Sequence, residues 1–355
     1  MTSLVILLIL KISMWAKHKQ YGFTIVELLI VIVVIGILAA ISIVAYTGIQ
    51  QRAVVASLTS DLDNASRLLN LFQIDKSTYP ALINDCPTPA AGNLCLKSSS
   101  GSTYAYQLNT TTPTPTFCIA ETNGSQTYKT TQDDKPSNGG CLVAAGLALH
   151  LDAASPSSYS ATGTKLTDLS GNGNNGTFVN NIVYDSGSGG ILTFDGSGYI
   201  SVPNFINQTP ASQEWTASVA VKLVSTTSTT TLQQLINFNS GVNFVQPNAN
   251  KLLLYLNGGV NDYYDYGSFN LRDDLWHIVS FVFQNTTGKR EIYVDGVDVS
   301  TTGPNLTSTP SGLPGALKLG MGVVGKFGDI SIYNRALSAV EVQQNYNALR
   351  GRYGI

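Results

Sequence analysis

One carboxylate, Glu27, interrupts an otherwise largely apolar segment that extends from Phe23 to Tyr46. A helix of about 20 apolar residues crosses the hydrocarbon core of a membrane, so this segment is long enough to span it. A charged side chain at such a position costs about 2.5–3.5 kcal/mol on insertion scales, and intramembrane acids therefore usually have a partner or a function. The position of Glu27 thus marks it as a candidate functional residue.

A basic stretch that ends in glycine precedes this segment: Lys17, His18, Lys19, Gln20, Tyr21 and Gly22, followed by Phe23, Thr24, Ile25, Val26 and Glu27. This arrangement resembles the type IV pilin family. The resemblance implies that a prepilin peptidase cleaves between Gly22 and Phe23 and methylates the new amine of Phe23. That amine would then neutralise Glu27 of a neighbouring subunit inside a filament. An ordinary signal anchor with an isolated glutamate is the alternative, although Gly, Phe, Thr and Glu all match the family in spacing.

The leader, residues 1–22, departs from the pilin pattern because a short apolar run, Leu4 to Leu10, precedes its basic part. Seven residues are too few to span a bilayer. No small-residue cleavage site follows them before the long apolar segment. We therefore predict that translation starts at Met14 and that the leader is Met14 to Gly22.

The distribution of charge predicts where the chain lies. Lys17 and Lys19 precede the apolar segment, and the next basic residue is Arg52. The positive-inside rule then predicts a single-pass precursor with a cytoplasmic N-terminus, whose remainder is extracytoplasmic and ends in a pilus or on the cell surface. The net charge is only −2, and 12% of the residues are charged, which argues against nucleic acid as a partner.

Four cysteines fall in the exported part, where oxidising conditions favour disulfides: Cys86, Cys95, Cys118 and Cys141. Three pairings are possible. We favour Cys86–Cys95, which closes a short loop, together with Cys118–Cys141, which ties a strand to the segment that leaves the first domain. A metal site is the weaker alternative, because the chain has no Cys-x-x-Cys pair.

The period of the apolar residues changes along the chain. A helical period continues past the membrane segment, and short alternating runs with a tight turn at Asn123-Gly124 follow. From Gly146 onward, many short strands separated by Gly, Asn, Ser and Thr turns predict an antiparallel sandwich. Ser338 and Glu341 form a capping box for a terminal helix. The predicted segments are a helix at 23–75 (transmembrane at 23–46), a head sheet at 76–131, a linker at 132–145 and a second domain at 146–355.

The second domain carries an ordered series of motifs that is similar to the concanavalin A-like, laminin-G-like jelly rolls: Gly146 to Asp152, Leu166 to Thr177, Leu192 to Gly196, Tyr199 to Val202, Trp276 to Val279, Ile292 to Gly296 and Ile332 to Ser338. The fold class is therefore an α+β pilin, with a long N-terminal helix and a small antiparallel sheet, followed by an all-β jelly-roll sandwich with a short C-terminal helix. This family binds glycans or proteins, and the fold alone does not give a ligand.

An enzymatic function is not predicted. Some relatives of this fold hydrolyse glycans with paired carboxylates on strands, whereas the glutamates of the second domain, Glu214, Glu291 and Glu341, are isolated. The glycines from Gly320 to Gly325 spell a nucleotide-binding pattern but precede a predicted strand rather than a helix. They are interpreted as a tight strand connection, and no catalytic residue is assigned.

Calcium is the one cofactor that the sequence suggests. Relatives often hold a calcium ion at the rim of the sandwich, and Asp168, Asn172 and Asn174 supply oxygen ligands in a glycine-rich loop. A plain turn is the alternative, since there is one carboxylate and Gly328 stands where relatives often have an acid.

The strongest candidate for ligand contact is a tyrosine-rich segment with acidic residues, formed by Asp262, Tyr263, Tyr264, Asp265 and Tyr266. Tyrosine offers a flat apolar face for a sugar ring and a polar tip for hydrogen bonds. A strand with tyrosines that alternate between core and surface is the alternative. The sequence predicts a minor type IV pilin with a lectin-like adhesive domain, which binds other pilin subunits, prepilin peptidase, the membrane, and a glycan or cell-surface protein. A pseudopilin of a type II secretion or DNA-uptake machine, or a major pilin, is the alternative.

Overall fold

The computed structural model describes residues 24–84, 93–110, 115–203, 205, 214–225, 233–238, 242–248, 251–255, 263–265, 269–284, 289–300 and 316–355. The chain divides into two units, Met1–Ala53 and Val54–Ile355. The predicted leader, with Met14 and Gly22, and the first mature residue, Phe23, lie outside the described residues.

One long helix, α1, extends from Ile25 to Lys76, close to the predicted range of 23–75. Its length and composition are sufficient to cross a membrane. In the first unit its large apolar side chains are exposed, as the segment Ile25 to Leu38 illustrates. Such a surface is stable only in lipid or against other apolar helices.

The second unit begins with a small head that packs on the last part of α1. Leu58, Leu62, Ala65 and Leu69 are buried at steps of three and four residues, so they form one face of the helix. Leu62, Ala65 and Leu69 belong to one core cluster with apolar residues of the head, including Phe117 and Ile119. The strands of the head are β1 Leu82–Asn84, β2 Asn93–Cys95, β3 Thr103–Asn109, β4 Thr116–Asn123, β5 Gln126–Thr131 and β6 Ser137–Asn138.

Strands β3 to β6 form an antiparallel sheet in sequence order. The predicted turn at Asn123-Gly124 is present, and Gly124 has a φ of +58°. Strands β1 and β2 pair separately and in parallel, which the sequence did not indicate. A disulfide joins Cys118 of β4 to Cys141. This is one of the two pairings expected from the sequence. Cys95 is also disulfide-bonded, and Cys86 lies outside the described residues.

The segment predicted as a linker, 132–145, contains β6, which adds a short strand to the head sheet. Residues of β6 pair with Tyr128 and Lys129 of β5. Gly139 follows β6 with a φ of +118°, and a Cβ at this position would lie 2.4 Å from the carbonyl oxygen of Ala348. Only glycine fits such a close approach between backbones. The polar and glycine-rich composition of this segment therefore serves a tight contact rather than a flexible connection.

The remaining strands form two eight-stranded sheets. In chain order they are β7 Leu147–Leu151, β8 Lys165–Leu166, β9 Gly176–Val179, β10 Ile182–Asp185, β11 Ile191–Asp195, β12 Tyr199–Val202, β13 Trp215–Leu223, β14 Gln233–Phe238, β15 Val242–Asn248, β16 Lys251–Tyr255, β17 Tyr263–Asp265, β18 His277–Gln284, β19 Lys289–Val294, β20 Val297–Asp298, β21 Leu317–Met321 and β22 Val324–Tyr333.

The first sheet has the order β10-β11-β22-β13-β18-β19-β20, and β7 pairs with the last part of β22. The second sheet has the order β17-β16-β15-β14-β21-β12-β9-β8. Both sheets contribute to one core, in which Trp215, Phe281 and Phe283 of the first sheet meet residues such as Phe238 and Leu319 of the second. The two sheets thus pack face to face around this core, as expected for a sandwich. The central strands β13 and β18 of the first sheet are buried on both faces.

The chain ends with a helix, α2, from Ala339 to Tyr353. The predicted capping box is present, because the Ser338 hydroxyl accepts a bond from the Glu341 amide and the Glu341 carboxylate accepts one from the Ser338 amide. Arg335 also forms a two-point ion pair with Glu341. Apolar residues of α2, including Ala348, Leu349 and Tyr353, pack on the outer face of the first sheet and on Leu142. A short 3₁₀ turn, Gly187–Gly189, lies between β10 and β11.

Candidate functional site

Glu27 lies in the first turn of α1 and forms a capping box with Thr24. The Thr24 amide and hydroxyl both donate to Oε2 of Glu27, at 2.8 and 2.7 Å. The Glu27 amide donates in return to the Thr24 hydroxyl at 3.2 Å. A carboxylate at this position satisfies the free amides at the start of a helix. Glu27 therefore has a local role within its own subunit, in addition to the predicted pairing between subunits.

The tyrosine-rich segment forms an edge of the second sheet. Strand β17 pairs only with β16 among the described residues, with Tyr264 opposite Leu254 and Tyr263 opposite Tyr255. Asp262 and Tyr266 lie outside the described residues. Ligand binding by this segment stays a prediction.

The Asp168 carboxylate, the predicted calcium ligand, is surrounded by hydrogen-bond donors. Oδ1 accepts bonds from the amides of His150 and Ser170, and Oδ2 accepts bonds from the Ser170 hydroxyl and the Asn174 amide. The side-chain amides of Asn172 and Asn174 donate to backbone carbonyls of β7. These bonds fix the loop against β7 and favour the alternative of a plain turn. Calcium at this loop remains a prediction that this geometry does not support.

The glycine-rich segment from Gly320 to Gly325 connects the two sheets. Gly320 is the last residue but one of β21 and has a φ of +79°, and Gly325 is the second residue of β22. A Cβ on Gly320 would lie 2.7 Å from the ring of Phe194 in the core. The segment opens a strand, so the interpretation as a tight strand connection is confirmed and the nucleotide-binding pattern lacks its helix.

The structure also brings together charged residues that the sequence analysis had not connected. His150 and Asp152 lie at and just after the end of β7, Asp329 lies on β22, and Arg352 lies in the last turn of α2. His150 is two residues from Asp152, and it sits between Leu149 and Leu151, which point into the core. This spacing places both polar side chains on the outer side of the sheet. The spacing of His150 and Asp152 was the one feature of the sequence that could have indicated this cluster.

These four residues are joined in pairs. Nε2 of His150 lies 2.8 Å from Oδ2 of Asp329, and Nη1 of Arg352 lies 2.8 Å from Oδ1 of Asp152. Burial opposes the charged imidazole, yet the charge and hydrogen bond of Asp329 outweigh it and raise the pKa of His150. Burial also opposes ionisation of Asp152, but the Arg352 charge outweighs it and lowers the pKa of that carboxyl.

The cluster lies beside a cavity of about 900 Å³ between the head and the sandwich. Residues of β4 to β6 line one side of this cavity, and His150, Asp152 and Arg352 belong to the other side. Lys129 of the head also lines it. A cavity of this size with several ionisable groups is a candidate binding site.

A second histidine, His277, is also paired with two aspartates, but in a different geometry. Its Nδ1 lies 2.7 Å from Oδ2 of Asp295, and its Nε2 lies 3.1 Å from Oδ2 of Asp273. Burial disfavours the charged ring, but the hydrogen bonds and charges of Asp295 and Asp273 outweigh it and raise the pKa of His277.

This raised pKa predicts a pH-dependent contribution to stability. A raised folded-state pKa stabilises the protein fully below the unfolded value of about 6.5, and this stabilisation is lost as pH rises through the folded-state pKa. We expect the free energy of unfolding of the wild type, relative to His277→Gln, to fall as pH increases from 6 to 9. Urea unfolding of both proteins across this range measures the difference. A difference that is constant or that grows with pH would contradict the assignment.

A membrane-length helix with an acid in its first turn, a small head sheet on that helix and an appended sandwich define a pilin-like subunit with an additional domain. Residues 17–43 match the prokaryotic N-terminal methylation motif. Residues 194–343 match the concanavalin A-like lectin/glucanases superfamily.

Curated relatives match the N-terminal part of the chain. The type IV wide pilus major component PilA4 of Thermus thermophilus is 37% identical over 89 residues, which are 23% of this chain and 68% of that protein. The chain therefore belongs to the type IV pilin family. Type II secretion system core protein G of Aeromonas hydrophila is 33% identical over 81 residues, 21% of this chain and 56% of that protein. Its Escherichia coli counterpart is 34% identical over 67 residues, 19% of this chain and 46% of that protein. The chain thus spans about half the length of these two relatives.

Solved structures align with part of the chain. Domain 4 of AbnA, an arabinanase from Geobacillus stearothermophilus in complex with arabinotriose, aligns with a TM-score of 0.43 and 19% identity, over 57% of this chain and 98% of that one. The binding domain of botulinum neurotoxin DC in complex with SialylT aligns with a TM-score of 0.46 and 16% identity, over 58% of this chain and 52% of that one.

Proposed function

We propose that this chain is a minor type IV pilin that displays a lectin-like adhesive domain on a surface filament. One observation carries the proposal: a single chain joins the pilin helix, with its methylation motif, to a sandwich whose residues 194–343 match the concanavalin A-like lectin/glucanases superfamily. In this proposal the precursor is anchored in the membrane by residues 23–46, prepilin peptidase removes the leader, and the helix assembles with other pilin subunits. Residues 146–355 then form the ligand-binding domain.

The contacts between head and sandwich support display of the domain in a fixed orientation. Asn345 of α2 accepts a bond from the Val143 amide at 2.8 Å, and Gln107 of β3 accepts one from the Ala144 amide at 2.9 Å. The Ser155 hydroxyl donates to Asp134 at 2.7 Å. Bonds on several sides of the junction restrict rotation between the two parts, so a force on the sandwich is transmitted to the helix.

The size of the sandwich favours a minor rather than a major pilin. A domain of 210 residues on every subunit would crowd a filament whose subunits pack through closely spaced helices. Immunogold labelling with an antibody against residues 146–355 tests this point. We expect sparse label at or near the pilus tip, and even label along every pilus would indicate a major pilin.

A pseudopilin of a type II secretion machine is the second candidate, because type II secretion core protein G is among the relatives of the helix. Deletion of residues 146–355 separates the two functions. The adhesive pilin predicts loss of attachment to surfaces, with secretion and DNA uptake intact. Loss of secretion with normal attachment would favour the pseudopilin.

We assign the ligand contact to the tyrosine-rich segment at the edge of the second sheet. The ligand is a glycan or a cell-surface protein, because tyrosine rings provide contact area at a low entropy cost and their hydroxyls form hydrogen bonds. Asp262 and Asp265 add acceptors for sugar hydroxyls. An edge strand is accessible from the side, which suits a ligand that extends beyond the sheet.

Replacement of Tyr263, Tyr264 or Tyr266 with Ala should weaken ligand binding by about 1–3 kcal/mol without unfolding the domain. The measurement is a glycan and cell-surface protein array with the chain from Val54 onward, which forms one unit. Tyr199→Ala, a change in β12 of the same sheet, is the matched control and should leave binding unchanged. The array is run with and without a calcium chelator, which tests whether ligand binding requires calcium. Absence of any ligand, or variants that only lower the melting temperature, would indicate a spacer domain.

A further inference from the structure

We propose that His150, Asp152 and Asp329 bind a divalent transition-metal ion, of which Zn²⁺ is the representative. The site lies on the outer face of the first sheet, and it is separate from both the Asp168 loop and the tyrosine-rich segment. It does not depend on the pilin function proposed above, since it rests only on the geometry of the sandwich.

The three side chains converge on one point. One ligand atom from each, the His150 nitrogen and an oxygen of each aspartate, lies within 4.8 Å of the other two. Metal–ligand bonds of about 2.0–2.2 Å place ligand atoms about 3–4 Å apart around a tetrahedral ion. The observed spacing therefore needs only small side-chain movements to bind an ion. The register of β7 and β22, with Leu151 opposite Ile330, holds the ligands at this distance.

The buried carboxylate of Asp329 is a second observation that indicates a bound cation. It is 1% exposed, and its Oδ1 is buried with no hydrogen-bond partner among the described residues. Its Oδ2 faces Nε2 of His150, so the carboxylate is directed into the cluster. A buried polar atom without a partner costs about 1–3 kcal/mol, and more when it belongs to a charged group. A bound cation would remove this cost.

The surroundings orient the ligands in the manner of a metal site. Asp152 accepts bonds from the Ala154 amide and from Arg352, which in turn donates to the Gly190 carbonyl. Outer partners of this kind fix ligand orientation in metalloproteins. Arg352 also balances the charge of Asp152, so a metal ion would balance the charge of Asp329 in place of a protonated His150.

The ion would be accessible from solvent on one side. His150 and Asp152 line the cavity between head and sandwich. Water in this cavity can complete the coordination, and the cavity provides the path by which an ion enters. An imidazole ligand favours zinc and similar transition metals, whereas calcium prefers oxygen ligands throughout.

The His277 cluster shows why composition alone does not define such a site. It also contains one histidine and two aspartates, but Asp295 and Asp273 face opposite nitrogens of the ring. A single ion cannot bind both carboxylates and the imidazole in that arrangement. His277→Gln is therefore a matched control for His150→Gln.

The test uses the untagged full-length chain in detergent, stripped with a chelator and dialysed against Zn²⁺ at pH 7.5. Metal content and affinity are measured for the wild type, His150→Gln, Asp329→Asn and His277→Gln, with circular dichroism to confirm folding. We expect one Zn²⁺ per wild-type chain, a loss of affinity of at least about tenfold in the first two variants, and no change in His277→Gln. An equal loss in His277→Gln would overturn the site.

The visible absorption spectrum of Co²⁺ bound to the wild type tests the site without any variant, and it therefore still applies if a variant fails to fold. We expect visible absorption bands that Zn²⁺ abolishes, as replacement at one site requires. No Zn²⁺ binding and no Co²⁺ bands would show that the cluster is an ion pair between a protonated His150 and Asp329, and would overturn the proposal.

Discussion

Replacing Glu27 with Ala should leave the precursor inserted and cleaved but prevent its incorporation into filaments. Insertion is preserved because the helix only becomes more apolar. Incorporation fails because the amine of Phe23 on the neighbouring subunit would be buried without its partner. Removing one member of a buried ion pair costs about 3–5 kcal/mol, which corresponds to more than about a hundredfold loss of incorporation. The measurement is the content of this chain in purified pili, relative to membrane fractions.

Glu27→Gln separates this pairing from the capping box with Thr24. Glutamine at the same position still accepts a bond from the Thr24 amide, so it preserves the cap. It carries no charge and cannot neutralise an amine. We therefore expect Glu27→Gln to fail as Glu27→Ala does. Normal incorporation of the glutamine variant would show that the cap alone explains Glu27, and normal incorporation of both variants would contradict any assembly role.

The elements that depend on local sequence were predictable. The helix α1 follows from a long apolar period, and the cap of α2 follows from Ser338 and Glu341, three residues apart. The strands of the sandwich follow from short runs separated by Gly, Asn, Ser and Thr turns. In each case the physical cause lies within one turn or one strand, where sequence spacing determines side-chain direction.

The features that depend on contacts between distant segments were not predictable. His150 and Asp329 are 179 residues apart, and they meet because β7 and β22 pair in one register. The contacts of segment 132–145 were missed for the same reason. There β6 pairs with β5, and Gly139 lies against α2, and neither partner could be read from the composition of the segment. Polar and glycine-rich composition describes both a flexible segment and a tight approach of two backbones, and only the partner distinguishes them.

Gly328 also depends on a contact between distant segments, and its replacement is expected to have a large effect on stability. The resemblance to the jelly-roll family indicated only that Gly328 stands where relatives often have an acid. In the structure, a Cβ at this position would lie 2.0 Å from the hydroxyl oxygen of Tyr353 and 2.5 Å from its Cζ atom. That hydroxyl accepts a bond from the Asp329 amide at 2.8 Å. The end of α2 therefore occupies the space that a side chain would need.

Gly328→Ala should accordingly destabilise the second unit by about 1–3 kcal/mol, the cost of overpacking a buried site. The backbone at Gly328 is not left-handed, so the cost is steric rather than conformational. Gly48→Ala is the control, because nothing lies within 4 Å of the position that its added Cβ would take and alanine favours a helix. Urea unfolding measures both. Because the clash involves the ring as well as the hydroxyl, Tyr353→Phe should restore only part of the loss in the double variant. Unchanged stability in Gly328→Ala would mean that α2 does not pack against β22 as described, and the placement of Arg352 beside Asp152 would fall with it.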